Sequence, residues 1–347
     1  MQDGCNSKHG IIAAGNWIID HIKVIDKFPV EDSLANITSE SFSNGGSPYN
    51  ILKNLSKLGA SFPLKGIGLV GDDDYGKQIK NDCSKHGIDS SMLKVLPGTF
   101  TSHTDVMTVE SSGRRTFFHQ RGANALLNIE HFNFFTSKEK LFHLGYLLLL
   151  DDLDKIYEDC VTGASQVLKN ACQAGLKTSV DLVSEDSDRF KRIILPSLPY
   201  IHYLFLNEFE ATRCTGINLI SNQMDYEALN KAATNILNYG VREWVFIHFP
   251  RGVFAKSKAG DVLIQGSMDL PNEKVASVVG AGDALAAGIL YAIHEEWEIS
   301  VALRMGVCCA ASCLQELGCS EGILPYEECL KLEDIYTYRD LKKELAI

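Results

Sequence analysis

The chain has 347 residues, 45% of them hydrophobic and 22% charged, with a formal net charge of -11 and a pI near 5.4. That mix fits a large globular core with one smaller appended unit. So acidic a surface repels phosphodiester backbones and anionic headgroups, which argues against nucleic-acid and membrane partners. An anionic ligand would need a local device: a helix N-terminus, a metal ion, or a placed Lys or Arg.

The ten cysteines form no C-x-x-C pair and no zinc-finger spacing. Cys308, Cys309 and Cys313 lie in the apolar run 307–314, with Cys319 just beyond it, and this run reads as a buried helix whose thiols act as small hydrophobes. Unpaired thiols suit a reducing compartment, and the first ten residues lack the apolar stretch of a signal peptide. The longest apolar run, 144–150, is too short to span a bilayer. The expectation is a cytoplasmic, soluble protein.

In chain order, apolar runs at 10–19, 64–70, 140–150, 177–183, 200–206 and 243–248 read as strands. Between them, the stripe Ile51, Leu52, Leu55, Leu58 and the segments 154–174, 225–238 and 281–294 have helical period. The alternation predicts an α/β fold, a Rossmann-like, mainly parallel sheet with helices on both faces. Residues 21–42 and 101–120 break the pattern and read as a small β-sheet laid over the edge of the main domain. That domain then comprises 1–20, 43–100 and 121–347. The charged, leucine-spaced tail after Tyr326 reads as a surface helix.

Two glycine patterns invite a nucleotide reading that their surroundings reject. Gly66-x-Gly68-x-x-Gly71 sits inside a strand instead of between a strand and a helix. The stretch from Gly71 to Lys77 nearly fits a phosphate loop, but Gln78 supplies no hydroxyl and Asp72, Asp73 and Asp74 would repel phosphates. An acidic turn capping the next helix is the better account.

Three segments carry chemistry. Gly280-Ala281-Gly282-Asp283 runs into a helix, so backbone N–H groups can meet an anion beside a carboxylate able to act as a base. Alone, it reads equally as a glycine turn with a helix-start aspartate. Gly45-Gly46 precedes a helix starting near Pro48, and Asn50 there can donate to and accept from a polyol; the plain alternative is a loop. Asn207-Glu208-Phe209-Glu210 follows an apolar strand, where Asn207 and Glu210 could hold the water shell of Mg²⁺ or simply cap a helix.

Taken in order, these segments resemble the ribokinase-like (PfkB) carbohydrate kinase family over nearly the whole chain. Gly15 to Asp20 is similar to its first strand, Gly45-Gly46 with Asn50 to its first signature, and Gly71-Asp72-Asp73 with Gly76 to its G-D-D-x-x-G turn. Gly113-Arg114-Arg115-Thr116 and Arg121-Gly122-Ala123-Asn124 resemble its lid hairpin and the return from it. Asn207 to Glu210 resembles N-E-x-E, and residues 280–283 its G-A-G-D signature. The resemblance implies ATP and Mg²⁺ as cofactors, Asp283 as general base and the backbone of Gly280, Ala281 and Gly282 as anion hole. It implies Asp20, Gly45, Gly46 and Asn50 as acceptor ligands. It also implies Asn207, Glu210 and Gly252 at the nucleotide, Glu210 reaching the metal through water, and a β-lid through which a homodimer can form. Apart from the resemblance, Arg121 and Arg115 could face an acceptor carboxylate or phosphate, or else be solvated lid arginines.

The departures are specific. Ser277-Val278-Val279 replaces the D-T-T before G-A-G-D, which removes side chains tied to an activating K⁺. Only Gly252 survives from the T-x-G-x-x-G stretch, and Pro250 removes a donor there, so Arg251 becomes the candidate substitute for a positively charged helper. The D-x-N-x-R element keeps only Asp181. The reading is therefore ATP-dependent phosphorylation of a sugar-like hydroxyl. The alternatives are a nucleoside kinase and a catalytically silent sugar-binding regulator on the same fold.

Overall fold

The computed structural model describes residues 8–158, 161–219 and 225–345. Its strands are β1 (Ile11–Gly15), β2 (Ile18–Ile25), β3 (Ile37–Gly45), β4 (Leu64–Gly71), β5 (Ile88–Leu96), β6 (Ser102–Val109) and β7 (Arg115–Gln120). They continue as β8 (Leu141–Leu147), β9 (Lys177–Leu182), β10 (Tyr203–Asn207), β11 (Trp244–Phe249), β12 (Gly252–Ser257) and β13 (Val262–Gly266). The large sheet has the order β13-β12-β11-β10-β9-β8-β1-β4-β5. Its strands from β11 to β5 pair in parallel, while β12 and β13 add antiparallel at one edge.

Every residue of β1 is buried, the mark of a strand covered on both faces. Ile11 and Ala13 enter one apolar core with Leu52, Leu55 and Ile289, while Ile12 and Ala14 enter the other with Phe142, Leu168 and Ile236. The period-2 alternation of a strand thus feeds two helix layers. From β1 the sheet grows toward β4 and β5 on one side and toward β8 to β11 on the other. That reversal opens a crevice beyond the C-terminal ends of β1 and β8, where open α/β sheets bind ligands.

A second sheet has the order β3-β2-β6-β7. The single strand expected at 10–19 is in fact two: β1 ends at Gly15, and β2 starts at Ile18 in the other sheet. Between them, the indole of Trp17 is fully buried and donates from Nε1 to the Ile67 carbonyl (3.0 Å). Asn124 clamps the same point, accepting from the Trp17 N–H (3.3 Å) and donating to its carbonyl (3.1 Å). The small sheet therefore takes in Asp20 and Ser43 to Gly45, beyond the 21–42 expected.

Two helices also differ from their periodic pattern. The stripe at 154–174 becomes a helix only over Gly163–Gln173, because Thr162 and Ser165 form a capping box that starts it there. The tail is not one surface helix. Its short turns, Tyr326–Leu330 and Leu341–Glu344, flank a bridge between Tyr338 and Met268, and Leu341 and Leu345 are buried. The acidic turn at Asp73 does cap the helix Asp74–Lys85, accepting from the Gly76 N–H (2.8 Å). Among the described residues no helix is long and apolar enough to cross a membrane.

Candidate active site

A cavity of about 730 Å³ lies where the small sheet overhangs the crevice. Tyr146, Asp181, Asn207 and His248 reach it from β8 to β11 or the residues just after them, and Asp20, Thr104, Arg115, Phe117 and His119 from the small sheet. Gly46, Asn50, Gly280, Gly282 and Asp283 reach it from the starts of two helices.

Asp283 stands in the first turn of the helix Ala281–His294, whose N-cap is Gly280 in the left-handed conformation (φ 75°). A Cβ there would crowd the Cys319 backbone, so glycine is required on both counts. Asp283 is buried, and its Oδ2 accepts from Asn50 Nδ2 (2.7 Å) and the Tyr146 hydroxyl (2.8 Å). Asn50 is itself fixed, because its Oδ1 accepts from Asn44 Nδ2 (2.6 Å), which also donates to Ser320 (2.9 Å). Burial, then the neighbouring Asp181 carboxylate, holds the Asp283 carboxyl well above the usual range, against the two hydrogen bonds.

Asp181 ends a buried polar chain. The Ser47 hydroxyl donates to Asp181 Oδ2 (2.6 Å) and lies 2.8 Å from His143 Nε2. His143 Nδ1 lies 2.8 Å from the Ser179 hydroxyl. With its proton committed to Asp181, Ser47 must accept from His143 Nε2–H, so Nδ1 accepts from Ser179. Every donor in the chain points toward the Asp181 carboxylate.

On the small-sheet side of the cavity, Asp20 pairs in register with Ser43 on β3 and Thr104 on β6, and Thr104 with His119 on β7. Burial pushes Asp20 up to about 7, although hydrogen bonds from Thr104 and Cys319 oppose it; Cys319 Sγ lies 3.9 Å away. Thr104 Oγ1 is 3.0 Å from His119 Nδ1. Burial, then Arg121, takes His119 down to about 4, and burial does the same to His248.

Asn207 and Glu210 form a reciprocal capping box at the helix Glu208–Thr215. Glu210 accepts from the Asn207 N–H (2.9 Å), Asn207 Nδ2 (3.0 Å) and the Ser184 hydroxyl (2.9 Å). Burial pushes Glu210 up to about 8, against those hydrogen bonds and with Asp181 adding to the rise. Among the described residues no group of three or more His, Cys, Asp or Glu could by itself hold a metal ion.

Of the residues singled out in the sequence, Asp20, Gly46, Asn50, Asn207, Glu210, Gly280, Gly282 and Asp283 line this one cavity. Gly45 and Ala281 flank it in sequence. Arg121 does not line it; its Nη1 turns to Asp151 (3.1 Å). Arg251 stands with Pro250 in the turn joining β11 to β12, and Gly252 starts β12, both outside the lining. Sequence reasoning missed Tyr146, His248 and Cys319, and took Asp181 only as the remnant of a rewritten element. For Tyr146, Asp181 and His248 the available signal was a polar residue at the C-terminal end of an apolar strand; Cys319, in a loop after the helix Ile299–Cys313, gave none.

A mainly parallel sheet with its switch point under a small β-sheet, and an acid at a glycine-capped helix start, define a ribokinase-type α/β protein. The pfkB family carbohydrate kinase model matches residues 8–325, and the chain belongs to that family. It is 22% identical to the ribokinase of Haemophilus influenzae over 91% of this chain and 96% of that one. It is 28% identical over 174 residues to a chloroplastic "probable fructokinase" of Arabidopsis thaliana, 49% of this chain and 42% of the relative. The match spans about half the length of that relative and of two further probable fructokinases of the same plant. The structure of Arabidopsis thaliana ribokinase complexed with ribose and ATP superposes with a TM-score of 0.76 at 21% identity, over 93% of this chain and 98% of that one.

Proposed function

We propose that the protein transfers the γ-phosphoryl group of ATP to a hydroxyl of a sugar or sugar-like acceptor, with Asp283 as general base. The observation that carries this is the placement of Asp283 beside Gly280 and Gly282 in the cavity, fixed by Asn50 and Tyr146. Its raised proton affinity suits a base taking a proton from an alcohol in a dry site. Both hydrogen bonds fall on Oδ2, and the carboxyl also lies within hydrogen-bonding reach of Asp181.

The N-terminal N–H groups of the helix Ala281–His294 stabilise charge on the transferring group. Asp20 and Asn50 hold acceptor hydroxyls. The ribokinase of similar fold, solved with ribose and ATP, supports this division of the cavity. Asn207 and Glu210 would hold Mg²⁺ through its water shell. A buried carboxyl with raised proton affinity is one that a nearby cation would keep ionised. When bound, Mg²⁺ neutralises charge on the phosphates.

The test is ADP release from Mg-ATP across pentoses, hexoses, sugar acids and nucleosides, with Asp283→Ala alongside. Turnover on one acceptor, abolished in the variant, is expected. Silence across the panel, with no ATP binding in calorimetry, would sink the kinase reading in favour of a sugar-binding regulator.

A further inference from the structure

Arg115, Phe117 and His119 alternate along β7, and all three line the cavity. Arg115 is the only lysine or arginine among the described lining residues, which otherwise include Asp20, Asp181, Glu210 and Asp283. Among the described residues no carboxylate forms an ion pair with it. The Cys319 thiol lines the same cavity, and burial holds it far above its ordinary range, hence neutral. A partly buried guanidinium without a counter-charge is costly, because it gives up water and gains no partner.

The position of Arg115 says which ligand would complete it. Cys319 also donates to Asp20, and Asp20, Thr104 and His119 form one cross-strand row on the same face of the small sheet. Arg115, four residues before His119 on β7, therefore shares the small-sheet face with Asp20, the proposed acceptor ligand. We infer that the acceptor is anionic, a sugar acid or a sugar phosphate, and that Arg115 binds its carboxylate or phosphate while a hydroxyl faces Asp283. This rests on the proposed kinase reading for the hydroxyl's fate, but not for the binding. The planar fork of Arg suits bidentate capture of either anion.

The experiment uses the whole chain with Mg-ATP and matched acceptors: ribose against ribose 5-phosphate, fructose against fructose 6-phosphate, and glucose against gluconate. Calorimetry of the same sugars runs in parallel. An anionic member is expected to be preferred, the phosphate and carboxylate arms telling the two sources apart. Arg115→Met is expected to raise its KM by ~30- to 3,000-fold, the scale for losing one partner of a desolvated charge pair. Arg115→Lys should recover part of that loss, and the KM for ATP should hold. Because β7 is an edge strand, a melting curve will show whether the fold persists. Preference for the neutral sugars, or a rise confined to the KM for ATP, would overturn the inference. If nothing turns over, binding of an anionic sugar that Arg115→Met abolishes still upholds it while the kinase reading fails. Absence of any such binding overturns it.

Discussion

The cavity has two unlike walls. Around Asp283, at the helix starts and the strand ends of the large sheet, the side chains are bonded to one another: Asn50 and Tyr146 hold Asp283, Ser47 holds Asp181, and Asn44 reaches in from β3 to hold Asn50. Toward the small sheet, Phe117 is 59% exposed, and among the described residues Arg115 faces the cavity with no carboxylate paired to it. The first wall is preorganised and can stabilise a transition state without rearranging. The second is left incomplete by the protein, so what completes it can be selected. On the proposed reading, chemistry falls to the helix starts and the large sheet, and selection of the acceptor to β7.

The largest expected effect breaks the first wall. Asp283→Asn preserves shape and both hydrogen-bonding neighbours but cannot take a proton, so kcat should fall ~10²–10⁴-fold, the scale for a positioned base. Steady-state turnover on the preferred acceptor measures it, and near-normal kcat would remove Asp283 as base. Asn50→Ala leaves Asp283 ionisable yet free to turn. A smaller loss of kcat is expected there, of about 10-fold by the misplacement argument, with ATP binding retained in calorimetry.

These residues were legible in the sequence because each sits in a short local pattern: an acid after glycines at a helix start, or an Asn and Glu one helical turn apart. Asp181, Tyr146 and His248 were not, because sheet order alone brings the ends of β8, β9 and β11 together. The choice between Arg115 and Arg121 shows a different limit. Both carry the same charge near the same hairpin, but Arg115 lies inside β7 on its cavity face, whereas Arg121 follows the strand's end and pairs with Asp151. Strand parity and strand ends decide such cases, and a loose alternating pattern fixes neither. The glycine pattern at 66–71 had a role that no local reading supplies. A Cβ on Gly66 or Gly68 would overlap the Trp17 ring, so the glycines make room for the indole that joins the two sheets.

That junction gives the next test. Gly68→Ala should destabilise the protein by roughly 1–3 kcal/mol, the usual cost of overpacking a filled core, read from denaturant unfolding. If stability holds, the indole has room that the structure does not show. A change of charge without change of volume comes next. Asp283 must be ionised to act, so turnover should rise with pH through a value well above the ordinary carboxylate range. Asp181→Asn removes the like charge that helps raise it, so the acidic limb of the kcat profile should move to lower pH. A limb that stays put would mean that Asp181 acts by packing alone.

The smallest effect sharpens the second wall. Phe118 alternates with Phe117 on β7, so it points away from the cavity, and it is 52% exposed. Phe118→Ser should change stability by no more than about 0.5 kcal/mol, as surface substitutions do, and leave the acceptor KM where it was. Arg115→Met, three residues earlier and on the other face, should move that KM with little effect on stability. The pair separates a sheet whose inner face selects ligands from one that merely contributes bulk. A large loss of stability in Phe118→Ser would show that the outer face is covered in solution. The incompleteness ascribed to the small sheet would then belong to both of its faces.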